Sequence, residues 1–202
     1  MVDFPRCRVS TWEDVDRWAD RVGEQVLAAG RRPDTIVGLT RGGWVPARLL
    51  ADRLGVKRVY SLRAQHWGVT ATPSGKAEVT EGPSGPVEGQ QVLVVDDITD
   101  TGESLQLALA RVREGRPDRA ETAVFLHISH SKFRPDYFGE EIPKESWVWV
   151  VFPWNYWEDL ASLAERARGV DPDRVRAVLR ERCGWDVPPE DLDELARWNA
   201  RR

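Results

Sequence analysis

The segment Val92–Leu105, VLVVDDITDTGESL, constrains this chain more than any other. Its near-continuous apolar start suits a strand of a parallel sheet covered on both faces. The run ends in two adjacent carboxylates, Asp96 and Asp97, whose like charges repel, the more so if half-buried. Then comes Thr99–Ser104, TDTGES. Its glycine allows close backbone approach, and hydroxyls with free N–H groups at a helix start make a concave anion site suited to a phosphate. The same residues also read as a plain helix start, with Asp100 as N-cap and Glu103 completing a capping box. The acidic pair is tolerable where a polyhydroxylated ligand or a hard cation uses it. Carboxylates accept hydrogen bonds from sugar hydroxyls, and Mg²⁺ takes oxygen ligands while keeping several waters.

The rest of the chain supplies the setting. Ser10–Gly30 has helical apolar spacing, with Ser10 or Thr11 to cap it and Gly30 to end it. Thr35–Leu39, Arg58–Leu62, Gln91–Val95 and Glu121–Ile128 read as strands, and Val45–Leu54 and Glu103–Arg113 as helices. Arg63–Gly89 lacks periodicity, and a loop of that length in a compact domain is usually functional or mobile. His130–Glu145 reads as irregular, Trp147–Phe152 as an aromatic strand, and Tyr156–Arg168, Pro172–Arg182 and Pro189–Arg202 as helices, with Asp171-Pro172 a cap and first turn. Alternating strand and helix predicts an α/β fold with a mainly parallel sheet. Ligands of such sheets bind beyond the carboxyl ends of the strands, where Asp96, Asp97, Thr99–Ser104 and Thr40–Gly43 all fall.

Bulk properties exclude some functions. The 202 residues, 41% apolar, suffice for one domain with a core and a terminal appendage. A net charge of −4 without a basic block disfavours nucleic acid or an anionic membrane as partner. No apolar stretch approaches the ~18 residues of a membrane span. Cys7 and Cys183 lack metal-ligand spacing and read as free thiols in a reducing cytoplasm.

VLVVDDITDTGESL resembles the phosphoribosyl pyrophosphate (PRPP) signature of the type I phosphoribosyltransferases. The resemblance implies that Asp96 and Asp97 hold the ribose hydroxyls, directly or with Mg²⁺. It implies that Thr99, Asp100, Thr101, Gly102, Glu103 and Ser104 hold the 5′-phosphate. A second segment, IVGLTRGGWVPARLLADRLGV, is similar to the family's pyrophosphate loop, with Arg41, Gly42 and Gly43 as the binding residues and Thr40–Arg41 as a cis peptide. Position likens Arg63–Gly89 to the flexible loop that closes over PRPP. A third segment, HSKFRPDYFGEEIPKESWVWVVFPWNYWEDL, resembles the hood of the 6-oxopurine enzymes, especially the xanthine-guanine type and its short prokaryotic relatives. By that register Trp149 stacks on the purine and Val150 offers backbone contacts to its edge; Trp147 and Trp149, two apart, also read as strand residues packing a core from one face. Asp100 corresponds to the aspartate near N7 of the base, acting as catalytic acceptor.

Two positions depart from the family pattern. Where relatives place a lysine for purine O6, this chain has His127, with Lys132 a few residues on; where they place an acid after the Pro-Trp pair, it has Asn155. Both lie where the base edge would be read, so the acceptor is a purine or an unusual purine-like heterocycle. His127 also reads as an ordinary strand histidine. The resemblance implies a type I phosphoribosyltransferase fold: a central mainly parallel sheet flanked by helices, with a small hood. Residues 1–165 would form this domain, its hood at about 127–159, and 166–202 a C-terminal helical extension. The expected activity is Mg²⁺-dependent transfer from PRPP to a purine base by a cytoplasmic homodimer or homotetramer. A PRPP- or nucleotide-sensing regulatory protein on the same fold is the rival reading.

Overall fold

The computed structural model describes residues 4–66, 77–79, 81–166 and 172–199. In chain order the elements are β1 (Cys7–Val9), α1 (Trp12–Ala28), β2 (Thr35–Thr40), α2 (Trp44–Leu54), β3 (Arg58–His66), β4 (Ala77–Val79), β5 (Gln91–Thr99), α3 (Glu103–Glu114), β6 (Arg119–Ile128), β7 (Tyr137–Ile142), β8 (Trp149–Val151), α4 (Tyr156–Arg166), α5 (Pro172–Val178) and α6 (Pro189–Asn199). A π-helical turn, Leu179–Cys183, continues α5. They form two compact units, one of Glu13–Trp147, the other of the residues up to Trp12 with those from Val148 onward. The boundary expected at 165/166 does not coincide with this division.

In the larger unit the strand order is β4-β3-β2-β5-β6-β7. Every pairing is parallel except β3 with the short β4. The central strands β2 and β5 are buried on both faces, as their unbroken apolar runs demand. On one face α3 lays down Leu105, Ala108, Leu109 and Val112, a single helical stripe, against Val37, Leu39, Val92, Val94 and Val124. Each such leucine or valine side chain contributes about 1.5–3 kcal/mol through its burial. Helix α1 buries Val15, Trp18, Ala19, Val22 and Val26. Its Trp18 ring lies 6.3 Å from Phe125 on β6, and its Nε1 donates to Glu140 of β7 at 2.8 Å. Gly139 lets this helix approach: a Cβ there would stand 2.7 Å from Trp18 Cβ.

The smaller unit pairs β1 with β8 in parallel, Cys7 opposite Trp149. Ser10 ties the pair off, its N–H and hydroxyl both donating to Val151 O at 3.0 and 2.9 Å. One core joins Val151 of β8 to Leu160 and Leu163 of α4, Val175, Leu179, Cys183, Trp185, Val187, and Leu192 and Leu195 of α6. The C-terminal helices thus share a core with the aromatic strand. Cys7 packs against the cluster that contains Cys183, and its thiol donates to Pro5 O at 3.6 Å.

Several expectations need correction. The stretch 130–145, expected to be irregular, contains β7, a parallel edge strand. The stretch 63–89, expected to be a loop, opens with four further residues of β3 and contains β4, while 67–76 and 80 lie outside the described residues. Asp171 of the expected cap and residues 167–168 and 200–202 of the expected helices also lie outside them. Strand β5 runs on to Thr99, so the acidic pair sits within it.

Trp18 fills the space between α1 and the β6–β7 edge. Trp18→Ala is expected to lower the unfolding free energy by about 3–5 kcal/mol, measured by urea denaturation.

Candidate active site

The carboxyl ends of β2 and β5 lie side by side, with Gly38 opposite Val95 in the register. Although successive strand residues alternate faces, the Asp96 and Asp97 carboxyls stay close enough to act on each other. Asp97 and Thr99 are buried, while Asp96 is half-buried. The N–H of Asp97 donates to Asp96 Oδ1 at 3.0 Å, and the N–H of Gly43 also faces the Asp96 carboxylate. Burial, and secondarily the charge of Asp97, hold the Asp96 carboxyl well above the usual carboxylate range; those two N–H groups only partly oppose this.

The diglycine after β2 is pressed onto these acids. A Cβ on Gly42 would run into the Asp97 carboxyl, 2.7 Å from its Cγ. A Cβ on Gly43 would come within 2.8 Å of Asp96 Cα and 2.9 Å of Leu39 O. No larger residue fits at either place without moving backbone or carboxylate. Arg41 is exposed on the same turn, and the Thr40–Arg41 peptide is cis, as the resemblance implies.

The loop after β5 differs in detail from a capping box. The N-cap of α3 is Gly102, in the left-handed region at φ +84°, and no side chain caps the helix. Thr101 Oγ1 instead accepts from the Glu103 N–H at 3.3 Å. Asp100 is therefore not the cap. Its carboxylate Oδ1 lies 2.7 Å from Nε2 of His130, in the turn that follows β6. His130, the first residue of the hood-like segment, has no role in the resemblance, and only the fold brings it to the loop. The same turn is keyed to the loop twice more. The N–H of Lys132 donates to Thr101 O at 3.2 Å, and a Cβ on Gly102 would strike Ser131 Oγ and Phe133 Cβ at 2.6 Å.

His127 faces its register partner Thr99, and its Nδ1 shares a 2.8 Å hydrogen bond with Thr99 Oγ1. The ring is buried, 5.3 Å from the Phe138 ring. Burial, then the charge of Arg134, lowers its titration below the ordinary histidine range and favours neutral imidazole. Lys132 is exposed. The larger unit thus gathers Arg41–Gly43, Asp96, Asp97, Thr99–Ser104, His127 and Lys132 at one end of its sheet.

The other sequence-derived residues belong to the smaller unit. Trp149 donates its N–H to Arg6 O at 2.8 Å and packs partly against that unit's core. Val150 is buried. Asn155 closes a turn by donating its N–H to Phe152 O and accepts at its own O from the Asp159 N–H, both at 2.9 Å. Beside it Phe152 and Trp154 stack with centroids 4.8 Å apart.

Asp96→Asn keeps an acceptor for the two N–H groups and removes a disfavoured charge. It is expected to stabilise the fold at pH 7 by on the order of 1 kcal/mol. The raised acid binds its proton more tightly in the folded state, so the native protein loses stability as pH rises through the window above the ordinary carboxylate value. The advantage of the variant therefore shrinks towards pH 4, which urea unfolding at both pH values measures.

Comparison with known proteins agrees with this geometry. The family described as phosphoribosyl transferase domain matches residues 11–164. The chain is 25% identical over 145 residues to a xanthine-guanine phosphoribosyltransferase of Gluconobacter oxydans, spanning 72% of this chain and 82% of that protein. It is 30% identical over 135 residues to the protein of the same name from Cereibacter sphaeroides, spanning 62% and 74% respectively. Among solved structures, a purine phosphoribosyltransferase from Pyrococcus horikoshii matches with a TM-score of 0.62 at 27% identity, covering 73% of this chain and 93% of that one. An acidic pair seated on a diglycine turn, the glycine-started helix behind it and a family match across both compact units lead to one conclusion: the chain belongs to the phosphoribosyl transferase domain family.

Proposed function

We propose that this enzyme transfers the 5-phosphoribosyl group of PRPP to N9 of a purine of the xanthine, guanine or hypoxanthine kind. The products are a nucleoside 5′-monophosphate and pyrophosphate. One observation carries the reading: the acidic pair of β5, Asp97 buried and Asp96 half-buried, is held against Gly42 and Gly43, so carboxylates suited to a sugar and a turn suited to an anion share one end of the sheet.

Each residue then has a physical task. Asp96 and Asp97 accept hydrogen bonds from the ribose hydroxyls. The N–H groups of Thr99–Ser104 at the start of α3 hold the 5′-phosphate, where the helix end favours negative charge. Arg41 and the backbone of Gly42 and Gly43 receive the departing pyrophosphate, and the fixed positive groups are worth most as charge develops there. Asp100 accepts the N7 proton as N9 attacks the anomeric carbon from the face opposite the leaving group. The sugar passes through an oxocarbenium-like state, and positioning with electrostatics lowers the barrier without a covalent enzyme intermediate.

Asp96 and Asp97 are adjacent hard oxygen donors, and the charged form of Asp96 is disfavoured without a compensating cation, so the pair fits Mg²⁺ held directly or through water and ribose hydroxyls. Bound there, Mg²⁺ would neutralise charge on the leaving pyrophosphate.

For the base, Trp149 supplies the stacking face and Val150 backbone contacts, while Lys132, His127 and Asn155 are the candidates for reading its edge. Exposed Lys132 is the better placed of the first two, because the His127 ring is buried and engaged by Thr99. The reading includes a cytoplasmic homodimer or homotetramer. Two free cysteines, no helix among the described residues long and apolar enough to cross a membrane, and exposed Trp12, Trp44 and Trp157 support it.

The test is a panel of bases with Mg²⁺ and PRPP, followed by pyrophosphate release. Release is expected with at least one 6-oxopurine; PRPP binding with no release for any base would favour a sensor instead. Asp100→Asn is expected to lower kcat by about 10²–10⁴-fold with PRPP affinity retained, measured by steady-state kinetics and calorimetry. Trp149→Ala is expected to weaken base binding about tenfold or more, and an unchanged base Kd would remove it from the stacking role.

A further inference from the structure

We propose that His130 is the positioning residue of the catalytic carboxylate: it holds Asp100 Oδ1 so that the second oxygen is presented to the base. The inference rests on the assignment of Asp100 above and goes beyond it by naming what aims that side chain.

The two oxygens of Asp100 are unequal. Oδ1 is fully covered, and no aligned hydrogen bond from the described residues reaches it. The side chain as a whole is nevertheless 46% exposed. That exposure cannot come from Oδ1, so it belongs to Oδ2 and the carbons beside it. The nearest polar group to the covered oxygen is His130 Nε2, at 2.7 Å, on a side chain 30% exposed. The separation is that of a hydrogen bond, which a turn of the imidazole would align. Side chains of catalytic sites are often misaligned in this way before substrate tightens them.

The surrounding structure fixes this contact. His130 lies in the turn closed by the Ser131 N–H donating to Ile128 O at 2.9 Å. Lys132 N–H then reaches Thr101 O, the neighbour of Asp100, at 3.2 Å. Gly102 packs so tightly against Ser131 and Phe133 that a Cβ would meet each at 2.6 Å. The turn is thus hydrogen-bonded and packed onto the loop, with His130 and Asp100 facing each other across their seam. A carboxylate that must meet N7 of the base gains from such a tie. An unrestrained aspartate on a short loop samples several rotamers, only some of which point an oxygen at the reacting atom, and misplacement by about 1 Å costs up to ~10²-fold in rate. Because His130 touches Asp100 and not the reacting atoms, its removal must show in turnover and not in PRPP capture.

The experiment compares wild type, His130→Ala, His130→Gln, Asp100→Asn and the double variant His130→Ala/Asp100→Asn, with Mg²⁺-PRPP and xanthine, guanine and hypoxanthine each in turn. His130→Ala is expected to lower kcat about tenfold or more, with the KM for PRPP changed less than about twofold and the circular dichroism spectrum unaltered. His130→Gln, whose amide N–H reaches about as far as Nε2, should recover most of the loss. In the Asp100→Asn background, His130→Ala should add little, since both substitutions disable the same unit. If Asp100→Asn is impaired while His130→Ala is not, or if the two losses multiply in the double variant, the positioning role is overturned and the assignment of Asp100 stands. If Asp100→Asn turns over normally, both fall together. A loss that Gln does not restore, accompanied by a raised PRPP KM, would mark His130 as part of the turn's packing and overturn the proposal.

Discussion

The structure turns on a conflict of like charges. Asp96 and Asp97 are neighbours at one end of a parallel sheet, one half-buried and the other buried, and two glycines seal them from the side. A chain selected only for stability would not keep this arrangement, because desolvation penalises each carboxylate and the pair repels itself. N–H groups of Asp97 and Gly43 oppose only part of the cost. What remains is an electrostatic deficit that hydroxyl donors or a cation can relieve, and the proposed binding role rests on it.

The rest of the larger unit holds that deficit in place. Strands β2 and β5 are buried on both faces, and α3 closes one of them with its stripe of Leu105, Ala108, Leu109 and Val112. The diglycine turn rides on the end of β2 and the Thr99–Ser104 loop on the end of β5, so each element proposed to bind an anion is anchored to a strand that cannot shift without disturbing the core. The loop after β6 joins them through Lys132, Ser131 and Phe133. Three consecutive strands of the sheet, β2, β5 and β6, thus each contribute one wall.

The features that were legible in the sequence are those with local causes. Unbroken apolar runs marked β2 and β5, and the acids and the diglycine announced themselves because their chemistry is costly or sterically singular. What escaped has causes elsewhere in the fold. Tyr137–Ile142 looks polar and irregular because Gly139 answers to the approach of Trp18 and Glu140 to its indole N–H, so β7 is written in the needs of α1. Cys7–Val9 is too short to show a period and exists only through its pairing with β8. Asp100 resembled an N-cap until Gly102, at positive φ, moved the start of α3 beyond it. His130 was unreadable because its partner is distant along the chain, and His127 proved to be a buried strand residue bonded to Thr99.

Calorimetric titration of the purified protein with PRPP in the presence of Mg²⁺ tests the central claim most directly. A phosphorylated pentose gripped between the acids of β5 and the loop behind them requires saturable binding, with ribose 5-phosphate competing for the same site. Absence of saturable heat for either ligand would contradict the account, whatever the fold.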